Sequence, residues 1–280
     1  MERIIMDEKY LASKSPIYRG FFGKQLAIFM LKLFGIDKFN ALVYKYRGIA
    51  GVDFTSKILQ DVGVSYRIIN GKNLEKLPET GFITVSNHPF GSVDGVILID
   101  IFARLRPDYK LMVNGILNRV ASLKENFIGV EPAKGKLKSK ISHNINGIRE
   151  CIKHLKDHPM GFFPAGAISR KDYKTGLIED REWQKGVLHI IKKSKLVIIP
   201  VFFDGFNSDF FYSLGRIHWK VRETRIAHEF FNKSGKCFNV VIGEPISIAI
   251  QEMFSDLESY GIFLKEKTYE LSAIATGFER

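Results

Sequence analysis

A histidine and an aspartate six positions apart stand in the segment Val85-Ser86-Asn87-His88-Pro89-Phe90-Gly91-Ser92-Val93-Asp94-Gly95. An imidazole takes up a proton near neutral pH, and a carboxylate on its other ring nitrogen fixes the tautomer and stabilises the charged form. His88 and Asp94 therefore have the chemistry of a general base and its orienting acid. Residues at this separation fall on different faces of a continuous helix, so the two meet only if the chain bends between them. Pro89 and Gly91 supply a bend.

The elements around the pair follow from local pattern. Gly81 to Ser86 reads as a short buried strand, and Ser92 as the N-cap of a helix that runs through Val96, Ile97, Leu98 and Ile101. His88 then lies on a strand-end loop and Asp94 in the first helical turn. The helix start adds free amide donors suited to a developing negative charge. Backbone amides around Gly91 to Val93, or in the Pro164-Ala165-Gly166 turn, are the candidate oxyanion donors.

Further along, strands and helices alternate. Val64–Ile69, Phe82–Ser86, Tyr109–Val113, Phe127–Val130, Gly161–Pro164, Val197–Phe203 and Phe238–Ile242 read as strands. Val93–Arg104, Ser139–Lys156 and Trp183–Lys193 read as helices. The expected fold is α/β: a single domain with a mixed, mainly parallel sheet flanked by helices, preceded by an N-terminal helical segment. The chain divides into residues 1–60, helical and membrane-associating, and 61–280, the catalytic domain. At 280 residues and 45% hydrophobic it can bury one large core, and no Pro/Gly/Ser-rich stretch splits it.

Four segments carry a resemblance. Asn87-His88 followed by Asp94 resembles the first motif of the PlsC-type glycerolipid acyltransferases, in the Asn-His-Pro-x-Gly-x-x-Asp-Gly form of the hemolysin-like members. Five residues separate His from Asp here, where the commoner family spacing is four. Phe127-Ile128-Gly129-Val130-Glu131-Pro132 resembles the second motif, Phe162-Phe163-Pro164-Ala165-Gly166-Ala167-Ile168-Ser169-Arg170 the third, and Ile198-Ile199-Pro200-Val201 the fourth.

The resemblance implies a glycerol-3-phosphate acyltransferase-like fold and acyl transfer from a thioester to a hydroxyl of a lipid that already carries one chain. His88 would take the acceptor's proton and Asp94 would hold His88. Asn87, Gly91, Ser92, Glu131, Pro164, Ala165, Gly166, Ser169 and Arg170 would shape the substrate site. No metal and no cofactor are implied, the donor being a co-substrate on acyl carrier protein or coenzyme A. Two departures bear on the acceptor. Ala165 stands where glycerophospholipid enzymes of this kind have a glutamate, and Val130-Glu131-Pro132 where they have an arginine for the acceptor's phosphate. Arginine meets phosphate with a planar fork of donors, so its absence turns the expectation toward an aminolipid acceptor of the N-acyl glycine or ornithine type. The alternatives are a 1-acylglycerol-3-phosphate acyltransferase and a lipid ester or thioester hydrolase. Against the hydrolase, no Gly-x-Ser-x-Gly elbow is present.

A formal net charge of +12 calls for an anionic partner, either nucleic acid or a membrane face. The pattern favours the anionic membrane surface and no nucleic acid, since no zinc-finger, RNP-like or helix-turn-helix signature is found. Leu26 to Ile36 is apolar apart from Lys32 and Gly35, with Arg19, Lys24, Lys38, Lys45 and Arg47 around it. It is shorter than the roughly 20 residues a span requires, and suits a helix in the interface or a hairpin dipping into one leaflet. The alternative is a helix that caps the main core. Without a signal-peptide pattern, the expected location is the cytoplasmic face of the inner (plasma) membrane, peripheral or monotopic. Lys134, Lys136, Lys138 and Lys140 form a basic run that could meet lipid headgroups or an acidic carrier protein. Cys151 and Cys237 lack metal or redox spacing and read as core residues in a reduced interior. His154 and His158 have the spacing of two metal ligands but no third follows, and they read as helix-end groups.

Overall fold

The computed structural model describes residues 6–131 and 138–277. In chain order the strands are β1 Ser65–Ile69, β2 Phe82–Ser86, β3 Lys110–Asn114, β4 Phe127–Val130, β5 Met160–Phe162, β6 Arg170–Lys171, β7 Ile178–Glu179, β8 Val197–Phe203 and β9 Cys237–Ile242. The helices are α1 Glu8–Lys14, α2 Gly20–Leu33, α3 Ile36–Lys45, α4 Gly51–Val62, α5 Val93–Leu105, α6 Lys138–His154, α7 Lys185–Ser194, α8 Asp209–Ile217, α9 Trp219–Glu223, α10 Ile226–Phe231, α11 Ile248–Glu252, α12 Leu257–Tyr269 and α13 Ser272–Gly277. The seven strands and three helices expected from the sequence all form, with ends moved by at most two residues.

Seven strands make the main sheet in the order β1, β9, β8, β2, β5, β3, β4, and every pairing is parallel except that of β8 with β9. β2 is buried along its whole length, as a central strand covered by helices on both faces must be. On one face Phe82 packs with Ile97, Leu98 and Phe102 of α5 and with Phe54 and Ile58 of α4. On the other, Ile83 and Val85 meet Cys151 of α6, Leu188 and Ile191 of α7, and Tyr260 and Leu264 of α12. The C-terminal end of β2 opens between β5 and β8, where open α/β sheets place their ligands.

The N-terminal helices do two different jobs. Leu42 and Val43 of α3 belong to the main core, and Phe39 lies edge-to-face with Phe230 of α10, ring centroids 5.0 Å apart. Asn40 Nδ2 donates to the Met6 carbonyl across 2.7 Å. α3 and α4 are thus part of the packed body, and the point at residue 60 falls inside α4. α2 turns only Gly23, Ala27 and Leu31 inward, at helical spacing. A Cβ at Gly23 would stand 2.5 Å from the backbone of Tyr18, so the close seating of this helix depends on glycine. Its other face carries Phe22, Leu26, Phe29 and Leu33, also at helical spacing and all exposed, Phe22 by 85%. Among the described residues no helix is long and apolar enough to cross a membrane.

Two smaller expectations change. Cys151 is buried as expected, but Cys237 is exposed at the start of β9. Ser92 occupies the N-cap position of α5 without making a capping bond, and its Oγ is buried with no hydrogen-bond partner among the described residues. Lys134 and Lys136 lie outside the described residues.

Candidate active site

The loop after β2 does bring His88 and Asp94 together. Nδ1 of His88 lies 2.9 Å from Oδ2 of Asp94. The same carboxylate accepts the backbone N–H of Phe90 at 3.0 Å, of Gly91 at 3.2 Å and of Gly95 at 3.0 Å. Asp94 therefore does the capping that Ser92 does not. Gly91 takes φ +90°, and a Cβ there would meet Ile168 Cδ1 at 2.3 Å, so the bend requires glycine twice over.

Electrostatics follow from that geometry. The Asp94 side chain is fully buried and the His88 side chain 15% exposed, so the nitrogen left to meet a proton donor is Nε2. Burial opposes an imidazolium, but the charge and hydrogen bond of Asp94, with a smaller contribution from Asp180, outweigh it and hold His88 above the ordinary histidine value. Burial likewise pushes Asp94 up, and His88 with the Gly91 and Phe90 amides more than reverses this, keeping it ionised. One face of the imidazole stacks on Phe163, centroids 4.0 Å apart and planes 27° from parallel.

Three supports hold the loop from outside. Asn87 exchanges two hydrogen bonds with the backbone of Phe203 at the end of β8, donating Nδ2 to the carbonyl at 2.9 Å and accepting the amide at 2.8 Å. Asp180 accepts the His88 backbone N–H at 3.2 Å, the Ser169 hydroxyl at 2.6 Å and Trp183 Nε1 at 3.2 Å. Ser169 completes this link by donating its own N–H to the His88 carbonyl at 2.9 Å. Asn207 donates to the carbonyls of Pro89 at 3.1 Å and Phe90 at 3.4 Å. It is itself held by Lys233 Nζ at 2.7 Å, and Lys233 is paired with Glu229 at 3.2 Å, both wholly buried. Such a pair is costly to break from one side, about 3–5 kcal/mol.

The remaining site candidates scatter. Gly166 donates its N–H to the Phe163 carbonyl at 2.9 Å, and the Ala165 carbonyl accepts from Arg181 Nε at 2.8 Å and Gln184 Nε2 at 3.0 Å. Pro164 accepts the Gln184 amide at 2.9 Å, so this turn is spent on joining β5 to α7. Of the proposed oxyanion donors, the Gly91 and Gly166 amides are already engaged, which leaves those of Ser92 and Val93 at the start of α5 and that of Ala165. Arg170 is exposed on the β6–β7 hairpin, directly after Ser169. Glu131 follows the edge strand β4, three strands from β2 and so roughly 14 Å away at ordinary strand spacing. The structure does not bring Glu131 to His88. His154 and His158 stack on each other, His154 reaching the Pro159 carbonyl and His158 the Asp108 carboxylate.

Sequence reasoning missed Asp180, Asn207, Glu229 and Lys233. Asp180 and Trp183, three apart between the third motif and α7, were a faint signal, because a tryptophan N–H buried with an acid nearby needs a partner. Glu229 and Lys233 have i, i+4 spacing, which ordinarily marks a solvated pair.

Comparison with known proteins decides the family. A family model described as acyltransferase matches residues 9–276. The chain belongs to the acyltransferase family. It is 28% identical over 272 residues to a lyso-glycine lipid O-acyltransferase of Bacteroides thetaiotaomicron, covering 94% of this chain and 96% of that one. With a protein of the same name from Phocaeicola vulgatus it is 26% identical over 274 residues, 94% of each chain. Among solved structures, the 1-acyl-sn-glycerophosphate (LPA) acyltransferase PlsC from Thermotoga maritima superposes with a TM-score of 0.49 at 18% identity, covering 94% of this chain and 92% of that one. The family model thus reaches well beyond the four short motifs, over residues 9–276 of this acyltransferase.

Proposed function

We propose that this acyltransferase moves a fatty acyl group from an acyl thioester to the hydroxyl of a lyso-aminolipid, an N-acylated amino acid of the glycine type. The observation that carries the reaction is the 2.9 Å contact between His88 Nδ1 and the buried Asp94 carboxylate. The acceptor rests on the names of the relatives, both lyso-glycine lipid O-acyltransferases, and on the missing phosphate-binding arginine in the second motif.

In this reading His88 Nε2 takes the hydroxyl proton as the acceptor oxygen attacks the thioester carbonyl carbon. Asp94 holds the imidazole in the tautomer with Nδ1 protonated and stabilises the imidazolium. The tetrahedral oxyanion meets the Ser92 and Val93 amides at the start of α5, with the unpartnered Ser92 Oγ beside them as a further substrate contact. When the intermediate collapses, the carbon–sulfur bond breaks and the thiolate recovers the proton from His88. The donor carrier is acyl carrier protein or coenzyme A. The exposed α2 stripe, with the basic balance of the chain, supports a peripheral position on the anionic cytoplasmic face of the inner membrane.

The test supplies purified protein with a labelled acyl thioester and N-acyl glycine carrying a hydroxylated chain, against lysophosphatidate. Labelled glycine lipid ester is the expected product. Ester formed only on lysophosphatidate would overturn the acceptor, and free fatty acid with neither ester would make the protein a hydrolase.

A further inference from the structure

Beyond Asn207, the segment from Phe206 to Arg225 has a composition that is odd for a solvent-facing element. Phe211 and Tyr212 of α8 turn inward, where they pack with Ile168, Ile178 and Ile226. A surface helix would then carry polar groups outside. α8 does expose Asp209, Ser213 and Arg216, but Phe210 and Ile217, seven positions apart, stand exposed with them, as do Phe206 before the helix and Trp219 and Val221 after it, with Ile217 at 74% and Trp219 at 44% exposure. Cations are interleaved with them: Arg225 lies over the Phe210 ring at 5.2 Å, Lys220 over Trp219 at 5.5 Å and Arg216 over Tyr173 at 4.4 Å. Aromatic and aliphatic side chains with basic residues among them, and a tryptophan, are the composition of a helix that lies in a headgroup layer.

Its position gives that composition a use. The inner face of α8 touches Ile168, the residue against which Gly91 of the His88 loop is fitted. α10 follows α9 directly, and its His228 Nε2 lies 2.8 Å from the Leu33 carbonyl at the end of α2. The segment is therefore joined on one side to the catalytic loop and on the other to the apolar helix near the N-terminus, although 175 residues of sequence lie between α2 and α8.

We infer that α8 and α9 form a second membrane-contacting element, seating Phe206, Phe210, Ile217, Trp219 and Val221 in an anionic lipid surface beside the active-site loop. This rests on the lipid-acyltransferase reading for its purpose, but it is tested by binding alone. Two points of attachment, α2 and the α8–α9 segment, would set the depth at which a lipid hydroxyl meets His88.

The chain has two tryptophans, and Trp183 is buried against Asp180, so Trp219 is the one able to report a change of surroundings. The full-length protein is titrated with vesicles of phosphatidylglycerol and phosphatidylcholine, with and without brominated acyl chains. The expected result is a blue shift of tryptophan emission and quenching by the brominated lipid, both absent in Trp219→Phe. In a second variant, Ile217→Asp, co-sedimentation with the same vesicles should fall about tenfold, the order expected for withdrawing one large apolar side chain from lipid. Co-sedimentation with no change in Trp219 emission would overturn the inference and leave α2 as the sole attachment. A Trp219 response to acyl carrier protein but not to lipid would also overturn it, making this a carrier surface. Because no turnover is measured, failure of the proposed chemistry would leave these outcomes readable.

Discussion

Between residues 87 and 95 the chain spends its polar groups on itself, while between residues 20 and 33 it spends its largest apolar groups on the outside. The His88 loop is held by Asp94, Asn87, Asp180 and Asn207, each giving or accepting at least two hydrogen bonds. The α2 helix is seated by small inward residues and shows Phe22, Leu26, Phe29 and Leu33. Under the proposed function, the site that must hold one geometry is built of internal bonds, and the surface that would meet a fluid partner is built of apolar area. The difference predicts that changes in one region alter turnover and leave association alone, and the reverse.

The largest expected effect is at His88. His88→Ala should lower turnover by on the order of 100 to 10,000-fold, the range of positioned general-base catalysis, with circular dichroism and vesicle binding unchanged. Loss of vesicle binding in that variant would break the separation of the two regions. Asp94→Asn should cost on the order of 100-fold or more and also move the pH profile. Asp94 raises the His88 pKa, and the base must be neutral to act, so the acid limb of kcat/KM lies above the ordinary histidine value and should shift to lower pH in Asp94→Asn. An unmoved limb would mean that some other group sets it.

On the other side of the comparison, Phe22→Asp combined with Phe29→Asp should weaken vesicle binding by roughly 100-fold, from the apolar area withdrawn, while turnover of a dispersed short-chain acceptor stays within about twofold. Removing residues 1–47 outright would not sharpen the point, because it would also take Leu42 and Val43 out of the core. The smallest effect is expected at Asp180. Asp180→Asn keeps a polar group against His88 and Ser169 but removes the charge, and about a three- to tenfold fall in kcat with KM nearly unchanged should follow. The acid limb should move in the same direction as in Asp94→Asn, by less, since Asp180 makes the smaller contribution at His88.

Much of this was legible before the structure. The alternation of apolar runs announced the sheet, because strands buried on both faces read as continuous apolar stretches and the helices between them as periodic ones. The meeting of His88 with Asp94 could be foreseen from the Pro89 and Gly91 bend, which is local. The bonds of Asp180 and Asn207 to the loop could not, since they join residues 92 and 118 positions apart and no local period encodes a long-range bond, and Lys233 reaches the loop only through Asn207. The bonds from Gln184 to the Pro164 and Ala165 carbonyls, which tie the third motif to the start of α7, were likewise not visible in the motif itself.

An ionised carboxylate offers about four acceptor positions, and Asp94 has four N–H donors around it: one imidazole and three main-chain amides. The proposed orienting acid is thus also the centre about which the peptide from Phe90 to Gly95 winds, so folding alone brings it to the imidazole of His88.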